Sequence, residues 1–327
     1  MNDQLPNVNI HMRMGVLPGS KKLEPEIMYD RARIACNMSR GQYNKQPLVV
    51  YDDSVREKRH YQQRLINDLK RAVKNEEFEV YYQPQYDIQS EPPVLKSAEA
   101  LVRWRHPEIG MIFPGDFIPL FEEQGLIGEV DKCVWKKAAR QVALWKSKYG
   151  RVIPVSVNLS RVDIFDPTLE RTLDELLTDN RLDHSALKLE VTESAYTENA
   201  DQVIRIIQSL RKKGFEIELD DFGTGYSSLG MLSSMPIDVL KMDRSFIVNM
   251  HNSDTAVQLV RLILDLAKEM KIPVIAEGVE DKIELTMLKE MGCDIVQGYY
   301  FSRPLPAADF EELLNKELEK RLNPARG

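Results

Sequence analysis

The stretch LKLEVTESAYTENADQVIRIIQSLRKKGFEIELDD, residues 187–221, carries the pattern that decides the fold. A short β-favouring run reaches Val191, an amphipathic helical segment fills Ala200 to Lys212, and a second β run ends at Asp220. Strand, helix and strand in that order predict parallel neighbours. The alternation extends outward in both directions, from Phe78 to the end of the chain. Predicted strands end near Gln85, Trp104, Leu159, Val191, Asp220, Met242, Ala276 and Gln297. Helical patterns also cover Val130 to Lys148, Thr168 to Leu177, Asp254 to Met270 and Ile283 to Met291. About eight strands over roughly 240 residues predict closure into an α/β fold, a (β/α)8 TIM-like barrel. An open doubly wound sheet is the alternative. Only Ser90-Glu91-Pro92-Pro93 separates the first two strands, too short for a parallel crossover, so the first strand is expected to run antiparallel.

Residues 1–54 read differently. A strand over Met12 to Val16, a helix over Glu26 to Met38 and a strand over Pro47 to Tyr51 make a small N-terminal β-α-β fragment. Residues 55–77 read as a helical connector, charged and helix-favouring from Arg56 to Lys74, and residues 78–320 as the barrel.

Composition narrows the function. The chain has 327 residues, 43% hydrophobic and 29% charged, with a formal net charge of -7. A net acidic surface disfavours long nucleic acid as a partner. A small anionic ligand remains compatible, because bound cations supply local positive charge. The three cysteines, Cys36, Cys133 and Cys293, form no CxxC pair, which argues against a disulfide framework or a thiolate zinc site and fits a reducing cytoplasm. The opening residues lack an apolar signal core, and no apolar run approaches the ~20 residues of a membrane span; a longer parent protein with an upstream sensor is compatible with this.

The most informative signal is positional. Asn158 ends VIPVSVN, Glu190 lies in LKLEVTES, and Asp220 and Asp221 end FEIELDD. Lys241 and Asp243 end VLKMD, Glu277 and Glu280 lie in IPVIAEGVE, Gln297 in CDIVQGYY, and Glu99 and Arg103 in LKSAEALVRW. In a (β/α)8 barrel such strand ends meet on one face, where active sites are built. Several carboxylates crowd together only with compensating charge. Oxygen ligands with one amide favour hard ions such as Mg²⁺ or Mn²⁺ over soft-ligand zinc chemistry. Adjacent strand residues point to opposite faces, so Asp220 and Asp221 reach one site only where the backbone turns, which Gly223 and Gly225 permit. Of five histidines, only His106 falls near the expected rim.

EALVRW, VNLS, EVTES, DDFGTGYSSL, KMDRSFI, AEGVE and QGYYFSRP, seven segments in order between Phe78 and Leu314, closely resemble the EAL phosphodiesterase family. The resemblance implies a barrel with an antiparallel first strand that hydrolyses cyclic di-GMP to linear pGpG. It implies that Glu99, Asn158, Glu190 and Asp220 hold one metal, and that Asp220, Asp221 and Glu277 hold a second. Lys241 would help activate the attacking water, and Gln297 would position water and ligand. Arg103 would contact phosphate; Gln83, Leu101, Asp243, Glu280 and Phe301 would contact the nucleotide. Glu193 matches the glutamate that steadies the loop Phe222 to Leu229, which in the family links the metal site to a dimer interface; a homodimer is the implied assembly. HMRMGVLP, MYDRARIACNMSR and PLVVYDD resemble the closing segment of a GGDEF domain, without its signature or its nucleotide-binding half, so no cyclase activity is expected. The alternatives are a catalytically silent cyclic di-GMP receptor and an unrelated barrel enzyme.

Side-chain parity adds one expectation from the residues alone. Lys188 shares a face with Glu190, and Glu218 with Asp220. If the two ligands are level, Lys188 and Glu218 should pair one layer below and support them.

Overall fold

The computed structural model describes residues 12–19, 23–38, 48–196, 199–223, 234–251 and 253–322. The chain divides into two compact units, Met1–Lys70 and Arg71–Gly327. In the first, strand β1 (Met14–Val16) pairs in parallel with β2 (Leu48–Val50), and helix Pro25–Met38 lies between them in sequence. Parallel neighbours need such a crossover. Ala35, Tyr51 and Val55 form its small core, flanked by Leu17, Ile34 and Val49. Helix Asp53–Lys74 runs across the boundary between the units.

The second unit is the expected barrel. Its wall comprises β3 (Phe78–Asp87), β4 (Val94–His106), β6 (Val155–Asn158), β7 (Leu187–Thr192), β8 (Glu216–Phe222), β9 (Val239–Met242), β10 (Val274–Glu277) and β11 (Ile295–Gln297). From β4 through β6 to β11 the neighbours are parallel. β3 closes the ring, antiparallel to both β4 and β11. The short loop dictated this, and the closed ring rules out the open sheet. Two short strands flank the wall: β5 (Gly110–Ile112) extends β4 and β12 (Leu305–Pro306) extends β3.

Alternation along β3 explains the packing. Tyr82 turns outward, where its ring centroid lies 4.9 Å from that of Trp145, which in turn lies 4.9 Å from that of Phe310 on the C-terminal helix Ala307–Leu322. Trp104, Phe78, Phe117 and Phe121 make a second buried aromatic group. Each such side chain contributes about 1.5–3 kcal/mol when buried, so the strand–helix layer anchors the wall. Gln83 and Gln85 turn inward on the same strand.

Helix caps fix the strand ends. Ser160 and Asp163 form a capping box one residue beyond β6; Asp243 caps the helix after β9, and Asp281 with Glu284 caps helix Lys282–Glu290 after β10. Each cap satisfies orphan backbone donors and leaves the residues just before it little freedom. Asn158 and Lys241 each lie two residues before such a cap.

Candidate active site

Lys241 is 1% exposed, and its Nζ lies 2.8 Å from Glu190 Oε1, 2.8 Å from Glu277 Oε1, 3.0 Å from Asp220 Oδ1 and 3.7 Å from Glu99 Oε2. Four predicted ligands from four strands thus surround one ammonium. Asn158 pairs in register with Glu190 on the neighbouring strand, which sets it beside them. Asp221 follows Asp220 at a break in the β8–β9 register, with φ 55°. That left-handed residue is the turn the paired aspartates require.

The electrostatics are those of a site short of positive charge. Burial, then the Glu99 charge, holds the Glu190 carboxyl well above the usual carboxylate range, and burial raises Glu99 as well. Burial pushes Glu277 up to about 8; burial and the Asp220 charge push Asp221 to about 6. Burial alone would favour neutral Lys241, but the carboxylates of Asp220, Glu190, Glu277 and Glu99 raise it and keep it protonated. Both oxygens of Glu190, Asp220 Oδ1 and Glu277 Oε1 are buried without a hydrogen-bond partner. Their contacts with Lys241 are close in distance but not directed. Five carboxylates, one amide and orphaned oxygens fit hard divalent cations.

On the β3 side, Gln297 is held from two directions. Its Nε2 donates to Glu99 Oε2 and, at 3.2 Å, to Gln83 Oε1, while its Oε1 accepts from Gln85 Nε2 at 2.9 Å. Ser97 Oγ donates to Gln85 Oε1 at 2.6 Å. Gly298 follows because its backbone is pressed on Val279: an added Cβ would lie 2.0 Å from the Val279 carbonyl oxygen.

Above the acids, Leu101 and Arg103 share the Glu99 face of β4, which runs on to His106 rather than ending at the acid. The Arg103 guanidinium lies 5.5 Å from the Tyr81 ring centroid and 5.8 Å from that of Phe113. Neither ring was foreseen in the sequence. Three other predicted contacts already have protein partners. Asp243 accepts from Ser245 N at 2.9 Å, Glu280 pairs with Arg244 at 2.7 Å, and Phe301 stacks on Tyr86 at 4.1 Å between centroids.

Glu193 is buried, and its Oε2 accepts from Gly223 N at 3.0 Å. Residues 224–229 of the loop, Gly225 included, lie outside the described residues. Gly223 itself is constrained twice, by φ 90° and by the Phe246 ring, 2.3 Å from where a Cβ would stand. Gly223→Ala is therefore expected to misplace Asp221 and lower turnover about 10–100-fold, as supporting residues around metal sites commonly do. The same strain should lower the melting temperature by a few degrees; steady-state rates taken well below the melt, beside the thermal melt itself, check this.

His106 is buried, with Nε2 2.9 Å from Arg71 Nη2 and Nδ1 accepting from the backbone of Glu108 and Ile109, so both ring nitrogens have structural partners. Away from the Lys241 cluster, His251, Asp281 and Glu284 bring donor atoms within 4.8 Å of one another. There His251 Nε2 pairs with both acids at 3.0 and 3.1 Å, and the remaining acid oxygens serve the capping box.

A barrel with one antiparallel strand and a lysine-centred acidic mouth defines the class. The chain belongs to the EAL domain family, whose model matches residues 66–304. Cyclic di-GMP phosphodiesterase PdeR of Escherichia coli strain K12 is 38% identical over 256 residues, covering 78% of this chain and 38% of PdeR. The bifunctional diguanylate cyclase/cyclic di-GMP phosphodiesterase MucR of Pseudomonas aeruginosa is 34% identical over 308 residues, 94% of this chain and 44% of MucR. A solved structure of the PaMucR phosphodiesterase in complex with c-di-GMP superposes with a TM-score of 0.71 at 35% identity, covering 76% of this chain and 99% of that one. The chain thus spans well under half the length of these curated relatives.

Proposed function

We propose that this chain hydrolyses cyclic di-GMP to linear pGpG. The carrying observation is the convergence of Glu99, Glu190, Asp220 and Glu277 within 2.8–3.7 Å of Lys241 Nζ. Glu99, Asn158, Glu190 and Asp220 would hold one Mg²⁺ or Mn²⁺, and Asp220, Asp221 and Glu277 would hold a second. When bound, the two cations neutralise phosphate charge and acidify the attacking water. Lys241 keeps a proton at the centre of the acids and orients that water. Gln297, braced by Gln85 and Gln83, aligns water and ligand against Glu99. Arg103, bracketed by Tyr81 and Phe113, receives a phosphate, while Gln83, Leu101, Asp243, Glu280 and Phe301 face the nucleotide. Water oxygen bonds to phosphorus, the P–O3′ bond breaks, and the 3′ oxygen leaves with a proton, which opens the ring to pGpG.

Turnover with Mg²⁺ or Mn²⁺ that stops in EDTA, followed by chromatography of pGpG, supports this reading. Binding of cyclic di-GMP with no pGpG under any metal would replace it by the receptor.

The raised carboxyls predict a stability dependence with a definite sign. Glu277, at about 8 folded against an ordinary 4.5, binds more protons folded than unfolded between those values. Its contribution is present at low pH and is lost as pH rises through about 8; Asp221, at about 6, acts in the same direction. The metal-free protein should therefore melt lower at pH 8 than at pH 5, and added Mn²⁺ should raise the melt more at pH 8. Thermal melts in EDTA and in Mn²⁺ at both pH values test it.

The first unit is read as the closing piece of a GGDEF domain, in keeping with its parallel strand pair and with the MucR match over 94% of the chain. Exposed Leu259 and Leu262, three residues apart on helix Asp254–Met270, offer apolar surface to a homodimer. Among the described residues no helix is long and apolar enough to cross a membrane. A cytoplasmic site of action, downstream of a sensor in a longer parent, completes the reading.

A further inference from the structure

One layer below the acids, two residues back along each strand, the barrel interior is polar on one side and apolar on the other. Ser97 lies below Glu99, Ser156 below Asn158, Lys188 below Glu190 and Glu218 below Asp220. Lys188 Nζ is 3.0 Å from Glu218 Oε1 and 2.7 Å from Glu216 Oε1, and Ser156 Oγ donates to Glu218 Oε2 at 2.8 Å. Glu218 is fully buried. Its Cα pairs in register with that of Glu190. Below Lys241, Glu277 and Gln297 stand Val239, Ile275 and Ile295, which pack together as an apolar cluster. The expected pairing of Lys188 with Glu218 is present, although the register sets Glu190 opposite Glu218 and Lys188 opposite Glu216 rather than Glu190 level with Asp220; the group floors only half of the site.

That asymmetry separates a structural role from a functional one. The apolar half shows that this layer closes without polar groups, and replacing a buried ion pair by apolar residues is commonly neutral or stabilising. The charged group is nonetheless kept under the four residues assigned to one cation. It carries two carboxylates against one ammonium, so net negative charge lies beneath Glu99, Asn158, Glu190 and Asp220, and an apolar cluster beneath Lys241, Glu277 and Gln297.

We infer that the Lys188–Glu218–Ser156 group is a positioning device that makes the two cation positions unequal, tightening the one held by Glu99, Asn158, Glu190 and Asp220. The inference rests on the two-cation reading above. Through Glu218 the group fixes strands β6, β7 and β8 against one another at the level of the ligands and adds negative potential from below.

Mn²⁺ titration followed by electron paramagnetic resonance tests this without turnover. Wild type should bind two ions in two steps, and Glu277→Gln should keep only the tighter one. Glu218→Gln keeps an acceptor for Lys188, turns the Ser156 bond round so that the amide donates, and removes the charge; it should weaken the tighter step about 10–100-fold while leaving the weaker step within about twofold. In the Glu277→Gln background the remaining step should fall by the same factor. The double variant Lys188→Met with Glu218→Leu should fold, with a melting temperature at or above wild type, and show the same loss. Unchanged binding in folded variants, or equal weakening of both steps, overturns the inference while the two-cation reading stands. A wild type that binds no Mn²⁺ removes that reading and the inference with it.

Discussion

Asp220→Asn should lower cyclic di-GMP turnover by about 10³-fold or more while raising the melting temperature of the metal-free protein. The two effects have one cause. Asp220 is the acid assigned to both cations, and its Oδ1 lies 3.0 Å from Lys241 Nζ with no hydrogen-bond partner. The amide keeps the shape and removes the charge that a shared ligand must supply. A cation's stabilisation of the transition state is worth several kcal/mol, and each 1.36 kcal/mol is tenfold in rate. Without metal, the same charge is one of several crowding a single ammonium, so its removal relieves repulsion, a stability–activity trade at one residue. Rates with saturating Mn²⁺ and melts in EDTA read both. Activity within tenfold of wild type would falsify the assignment of Asp220 as the shared ligand.

Most of the site was legible because the chemistry interrupts a simple pattern. VSVN, VLKM and VIAE are mostly apolar strands with one charged or amide residue near the end, LKLEV has two, Lys188 and Glu190, and the barrel brings such ends to one face. The antiparallel β3 followed from a loop too short to cross over. Parity put Lys188 and Glu218 on inward faces, because side-chain period is a local property of a strand; their level was not legible, since the register sets Lys188 opposite Glu216 and its side chain reaches both acids. What the sequence hid depends on long-range packing. Phe113 reaches Arg103 from beyond a hairpin whose strand β5 has only three residues, too short for a periodic signal. Helix Pro114–Glu123 contains Pro119, which masks a helical pattern. Glu99 sits inside β4, whose outer half is held by β5, so the acid does not mark a strand end there. The pairing of Glu280 with Arg244 joins the loop after β10 to the start of the helix after β9, which only the folded barrel brings together.

Lys241→Met should have the opposite stability signature and an equally large kinetic one. Lys241 is the ammonium that Glu99, Glu190, Asp220 and Glu277 share. Removing one partner of a buried ion pair costs about 3–5 kcal/mol. For a unit of this size that corresponds to a fall of about 10 °C in the melt. The deficit should be smaller at pH 6 than at pH 8, because Glu190 and Glu277, already held above the usual carboxylate range by burial, can take up protons in place of the ammonium. Mn²⁺ should restore most of the lost stability at pH 8, since the cation supplies the missing charge. It should not restore turnover, which is expected to stay about 10³-fold down, because a methionine can neither orient the attacking water nor hold a proton beside it. Recovery of both stability and rate on adding metal would reduce Lys241 to a placeholder for the cation. Recovery of stability alone assigns it a part in the chemistry.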